Sequence, residues 1–216
     1  MQISNRTLQA RLAALGHNPG PIDGLVGRRT EAALDEALAE FNGTEAADLF
    51  DASGLHSIRW HWTAGAYGVN DLEERSYNRL IDDRGTAHDG QFPPEAQARY
   101  APGRAASHTR NANSGAIGLA VDCMAGAVER PFNPGKAPMK AAHVDGLVKE
   151  TARLCRKFWI PVTRWSVLSH AEVQPTLGIR QRWKWDVSWL PGMDRPGDPI
   201  EVGDRLRDMV RQEMGL

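Results

Sequence analysis

Only two cysteines occur among the 216 residues, Cys123 and Cys155, far apart and in apolar surroundings such as Val121-Asp122-Cys123-Met124. They form no CxxC pair, and buried reduced thiols are expected rather than a disulfide. No apolar run is long enough to cross a bilayer, and the polar start Met1-Gln2-Ile3-Ser4-Asn5-Arg6 lacks the apolar core of a secretory signal. The expectation is a protein made in the cytoplasm, which something else must release if its substrate lies outside the inner membrane. An excess of one charge is missing too: 26 basic and 27 acidic residues leave a formal net charge of -1. Nothing then draws the chain generally toward nucleic acid or an anionic membrane, so neither nucleic acid nor stable membrane association is expected.

What is present is an ordinary composition, 41% hydrophobic and 25% charged, with length for one main domain and a small module. Leu8, Leu12 and Leu15 recur at helical spacing after a Ser4-Asn5 cap, and Gly16 ends that helix before Asn18-Pro19-Gly20-Pro21. A second helix is expected with Thr30 as its cap and Ala33, Leu34, Ala37, Leu38 and Phe41 as its apolar stripe. The run from Leu8 through Pro19-Gly20-Pro21-Ile22-Asp23-Gly24 to Ala33-Leu34 resembles the peptidoglycan-binding three-helix module, with Leu25-Val26 where an aromatic often sits. The reading is a helical module over 1–45, a boundary within 42–54, and a second domain over 54–216.

In that second domain Leu55 to Trp62, Tyr77 to Ile81, Ala116 to Val121 and Trp165 to Leu168 read as strands. Met139 to Trp159 and Val202 to Met214 carry helical periodicity, and the Gly/Pro-rich stretches 84–104 and 191–199 read as surface loops. Strands alternating with helices define an α/β fold class, preceded by a small all-α module.

Two apolar strands each deliver a histidine near their end, His61 in Arg59-Trp60-His61-Trp62 and His170 in Val167-Leu168-Ser169-His170, the latter followed by a polar turn over 171–175. Alone, a strand histidine reads equally well as a hydrogen-bonded core residue. In Arg182-Trp183-Lys184-Trp185-Asp186, an extended backbone would aim Lys184 and Asp186 to one side and the tryptophans to the other. That pair by itself is equally an exposed ion pair. Two neutral imidazoles and a carboxylate together suit a catalytic zinc, because three protein ligands leave a fourth position open.

Trp60-His61-Trp62-Thr63, Ser76 to Asp82, Ser114-Gly115-Ala116-Ile117-Gly118-Leu119, Leu168-Ser169-His170 and Lys184-Trp185-Asp186 follow one another in the order of the type 2 N-acetylmuramoyl-L-alanine amidases. The chain resembles that family, which includes the peptidoglycan recognition proteins, over roughly residues 54 to 192. The resemblance implies a central mixed β-sheet flanked by helices, a Zn2+ cofactor held by His61, His170 and Asp186, and Tyr77 and Lys184 hydrogen-bonding the reacting centre. It further implies Asp122 as a catalytic carboxylate and His108 as a residue lining the substrate groove. Tryptophans in such a domain mostly fill core and cleft walls, and Trp183 or Trp185 is the expected sugar-stacking side chain. His17, His56, His88 and His143 are expected to be exposed or singly hydrogen-bonded. The sequence departs from the family in the 16-residue step from His170 to Asp186, in Asn78 where histidine is common, and in Ala120 where an acidic residue is frequent.

The implied function is a zinc amidase cutting bacterial peptidoglycan, of phage or prophage endolysin type, monomeric and released from the host cytoplasm through a holin-type pore. A cytosolic amidase recycling anhydro-muropeptides and a non-catalytic recognition protein stay open as alternatives.

Overall fold

The computed structural model describes residues 3–40, 43–50 and 54–216. Ser4 starts α1 (Asn5–Ala14), where its hydroxyl accepts from the Thr7 N–H and satisfies one of the free donors of a helix start. α2 (Arg28–Glu40) begins two residues before the expected cap at Thr30. Thr30 is instead buried inside the helix, donating to the Pro19 carbonyl and accepting from the Gln9 amide, so its hydroxyl clasps the two-helix unit rather than the helix start. Leu12, Ala33 and Ala37 form a small core with Leu49 and Phe50. Those last two lie beyond residue 45, on and just after the short 3-10 turn Ala46–Leu49. Phe41, expected in the α2 stripe, and residues 42 and 51–53 of the expected boundary lie outside the described residues.

The larger core surrounds a five-stranded sheet of β1 (Ser57–Trp62), β2 (Arg79–Ile81), β3 (Ala87–Asp89), β4 (Ala116–Val121) and β5 (Val167–Ser169), in the order β3-β2-β4-β1-β5. β1 runs parallel to β4 and β5, β2 runs parallel to β4, and β3 is antiparallel at the edge, giving the mixed sheet expected. β3 and a 3-10 turn at Pro94–Arg99 fall within the stretch read as loop. The cause is local: the Asp82 carboxylate accepts from the N–H groups of Arg84 and Thr86, folding the chain back as a hairpin without any apolar alternation. The strand expected from Tyr77 starts only at Arg79, because α3 (Asp71–Ser76) runs up to Tyr77.

Alternation along β1 sends Ile58, Trp60 and Trp62 toward α4 (Ala141–Phe158), where the Trp60 indole N–H donates to the Thr151 hydroxyl at 2.9 Å. Gly146 lets α4 close on the β2–β3 turn, since a Cβ there would stand 2.6 Å from the Gly85 carbonyl oxygen. α6 (Pro199–Met214) is capped by Asp198 and sends the buried Arg207 to the Val167 carbonyl and the Glu172 carboxylate, both at 2.8 Å. Asn78 explains its own departure from histidine: fully buried, it accepts from the Gly118 N–H and donates to the Phe92 carbonyl, fastening β2 to β4.

The opposite side of β1 carries Ser57, Arg59 and His61. Burial pushes Arg59 down to about 10, which leaves it protonated at neutral pH. Cys123 and Cys155 are both buried and unbridged, and burial pushes the Cys155 thiol up to about 12. Among the described residues no helix is long and apolar enough to cross a membrane.

Candidate metal centre

His61 comes from β1 and is fully buried. His170 comes from the next strand in space, but as the first residue of a helix, α5 (His170–Leu177), rather than the last of a strand. Ser169 ends β5 and caps α5: its hydroxyl accepts from the Glu172 N–H while Glu172 Oε2 accepts from the Ser169 N–H. The run 171–175, expected as a turn, is therefore the body of that helix.

Asp186 arrives from an irregular segment, not the extended one expected. Trp183 and Val187 both take left-handed backbone, with φ of 47° and 64°. The two-residue alternation consequently fails. Asp186 is buried, Lys184 and Trp183 are exposed, and Trp185 packs edge-on against Trp62 with ring centroids 4.7 Å apart. Trp183 is 98% exposed and does not line the cavity beside the histidines.

One donor atom from each of His61, His170 and Asp186 lies within 4.8 Å of the others. Asp186 Oδ2 is 3.4 Å from His61 Nδ1 and 3.3 Å from His170 Nδ1, and the two Nδ1 atoms are 3.1 Å apart. The outer ring nitrogens fix which atoms face inward. His170 Nε2 meets the Gln181 side-chain oxygen at 3.1 Å, and the Gln181 amide nitrogen is committed to the Arg110 carbonyl, so His170 Nε2 is the donor. His108 Nε2 donates to the Ala116 carbonyl at 3.1 Å, which makes its Nδ1 an acceptor for the Thr109 hydroxyl at 2.9 Å, and His61 Nε2 donates into this pair, 3.2 Å from Thr109 Oγ1 and 3.3 Å from His108 Nδ1. Both Nδ1 lone pairs and a carboxylate then point at one another with no proton between the rings. Three electron-pair donors converging in a buried site repel unless a cation joins them, and two imidazoles with one carboxylate suit zinc. The residues fit the metal.

Burial pushes His61 down to about 4, keeping the ring neutral as a ligand must be. Tyr77 lies beside the group, its ring centroid 5.1 Å from that of His61. Burial, with the charges of Asp186 and Glu73, raises its phenol above the ordinary value, so the hydroxyl stays a donor. A cavity of about 630 Å³ opens here, lined among others by His108, His170, Gln181 and Lys184.

Asp122 is not brought into this group. It is fully buried, one oxygen accepting from the His143 Nε2–H at 2.8 Å and the other from the Gly68 N–H at 2.7 Å. His143 is correspondingly buried and doubly bonded, its Nδ1 accepting from the Lys140 N–H, where an exposed or singly bonded histidine was expected. His108 lines the cavity, yet its ring nitrogens are spent behind His61. Gly118 makes room for it, since a Cβ there would fall 2.5 Å from His108 Cδ2. Gln181 and Thr109 were not foreseen. Gln181 sits in the long step between His170 and Asp186, where only the length of the insertion drew notice.

These features define an α/β protein with a buried group of two histidines and one carboxylate, a candidate metal site, at one end of a mixed sheet. No family model and no curated protein matches the chain. Among solved structures it is similar to the N-acetylmuramoyl-L-alanine amidase LysC from Clostridium intestinale URNW, at 17% identity over 73% of this chain and 89% of that one, with a TM-score of 0.43. The endolysin amidase LysCS from the same organism gives 17% identity, 73% and 87% coverage and a TM-score of 0.42. The complex of peptidoglycan recognition proteins LCa and LCx with tracheal cytotoxin gives 13% identity, 62% and 81% coverage and a TM-score of 0.36. At such scores the likeness carries no functional weight, which falls on the site itself.

Proposed function

We propose that the protein is a zinc-dependent N-acetylmuramoyl-L-alanine amidase that hydrolyses the bond between N-acetylmuramic acid and L-alanine in bacterial peptidoglycan, as an endolysin does. The observation that carries the metal chemistry is the convergence of His61 Nδ1, His170 Nδ1 and an Asp186 oxygen with both outer ring nitrogens tied down. The substrate follows from the resemblance of the ordered motifs to the type 2 amidases. Bound there, zinc supplies Lewis acidity toward a carbonyl oxygen and lowers the pKa of water.

The chain's own residues do the rest. Lys184 stands at the cavity wall and stabilises the negative charge that develops on the carbonyl oxygen. Tyr77 keeps its proton and donates to the reacting centre. His108 and Gln181 hold the ligand rings in one tautomer and orientation. The N-terminal helices serve as the wall-binding module in this reading.

Purified sacculi digested with the native chain should release free stem peptides in muropeptide mass spectrometry, while Asp186→Ala should release none. Equal release by both proteins, or none by the native zinc-loaded chain, would overturn the assignment.

A further inference from the structure

A second cavity, of about 580 Å³, lies between the start of α1 and β1. Arg59 lines it from the strand, His56 from just before the strand, and Arg6 from the first turn of α1; no carboxylate is among its lining residues. Arg59 is only 3% exposed. Its Nη1 donates to the Ile58 carbonyl at 3.3 Å, and its Nε is buried without a partner among the described residues. The nearby carboxylate, Glu172, is already taken by Arg207 and the Ser169 N–H. His56 Nδ1 is also buried without a partner among the described residues. A guanidinium withdrawn from water with no hydrogen-bonded carboxylate of its own, near only the Glu172 charge that Arg207 shares, is poorly compensated, and an arginine fork matches the paired oxygens of a carboxylate or phosphate.

We propose that this cavity is a binding site for an oxyanion, a carboxylate or phosphate group, seated on the guanidinium of Arg59. The start of α1 adds its own attraction for negative charge. Arg59 and His61 are two apart on one strand face, about 7 Å along it, and Asn111 and Ser114 line both cavities. The anion site therefore adjoins the metal cleft, and an extended acidic ligand can occupy both. The proposal does not depend on zinc or on the amidase reading.

The test is thermal unfolding of the full chain at constant ionic strength, with inorganic phosphate in one arm, succinate in another and chloride as the reference. A responding anion should raise Tm by roughly 3 °C or more at ten times its Kd, and the arm that responds identifies the phosphate or carboxylate source. Arg59→Met should melt above the native chain in chloride, because an unpaired buried charge is gone, and should lose the anion response while keeping its zinc content. Silence in both arms, an unchanged response in Arg59→Met, or a lower Tm for that variant in chloride would overturn the proposal. Should Arg59→Met not fold, Ser114→Glu at an exposed cavity position supplies an internal carboxylate and should suppress the response; an undiminished response overturns the proposal equally.

Discussion

At the scale of single residues, the ligand histidines depend on neighbours that touch no metal. Removing the acceptor behind a ligand frees its ring to rotate or change tautomer, which typically costs 10- to 100-fold in metal affinity. His108→Ala and Gln181→Ala should each weaken zinc binding by roughly that factor in chelator competition, with the fold intact by circular dichroism. Acid should act on the same rings. His56 and His61 are pushed by burial to about 4, and His108 lies well below its ordinary value for the same first reason. The unfolded histidines take up protons near pH 6.5 and the folded ones only near 4, so between those values the unfolded state binds more protons and stability falls as pH falls. Urea midpoints of the zinc-free protein should drop between pH 7 and pH 4.5 and level off above pH 7; a flat profile would contradict the buried neutral rings. His61, His170 and Asp186 were legible in the sequence because strand ends and motif order converge on them. Asp122 directly follows β4, and the donors to its two oxygens come from residues 54 and 21 positions away, which no sequence pattern displays.

At the scale of elements, the long helices and β4 could be read from periodicity, whereas capping and close approach had to be seen. Ser169-His170-Ala171-Glu172 carries a capping-box pattern in plain sight, and Pro175 obscured it by suggesting a turn. β3 has no alternation to detect and exists only because Asp82 bends the chain. The packing of α4 yields a prediction in which two effects compete. Gly146→Ala gains about 1 kcal/mol of helix propensity. It also drives a methyl to 2.5 Å from Ile81 Cγ2 and 2.6 Å from the Gly85 carbonyl oxygen. Overpacking against fixed backbone costs about 1–3 kcal/mol, so denaturant titration should show a net loss of stability of up to about 2 kcal/mol.

Across the whole molecule, two separate apolar cores and the buried Arg207–Glu172 ion pair divide the labour. Sequence pattern distinguished a helical segment from an α/β one. It could not place Leu49 and Phe50 in the first core, since a four-residue 3-10 turn leaves no periodic trace. The Arg207–Glu172 pair is fully buried on both sides and joins α6 to the helix that begins with His170. Arg207→Met should destabilise the protein by about 3–5 kcal/mol by stranding the Glu172 carboxylate, and Arg207→Met with Glu172→Gln should recover part of that loss in denaturant titration.

The same ion pair bears on when, during synthesis, the metal group can exist. His170 is oriented by a helix start whose Glu172 is held from residue 207, after every ligand has been made. A ribosome-bound chain that has already emitted His61, His170 and Asp186 still lacks the cation that secures the helix carrying His170. The helix that presents His170 is thus secured only once residue 207 has been made, so the candidate ligand group is completed after its three residues have emerged, not as they emerge.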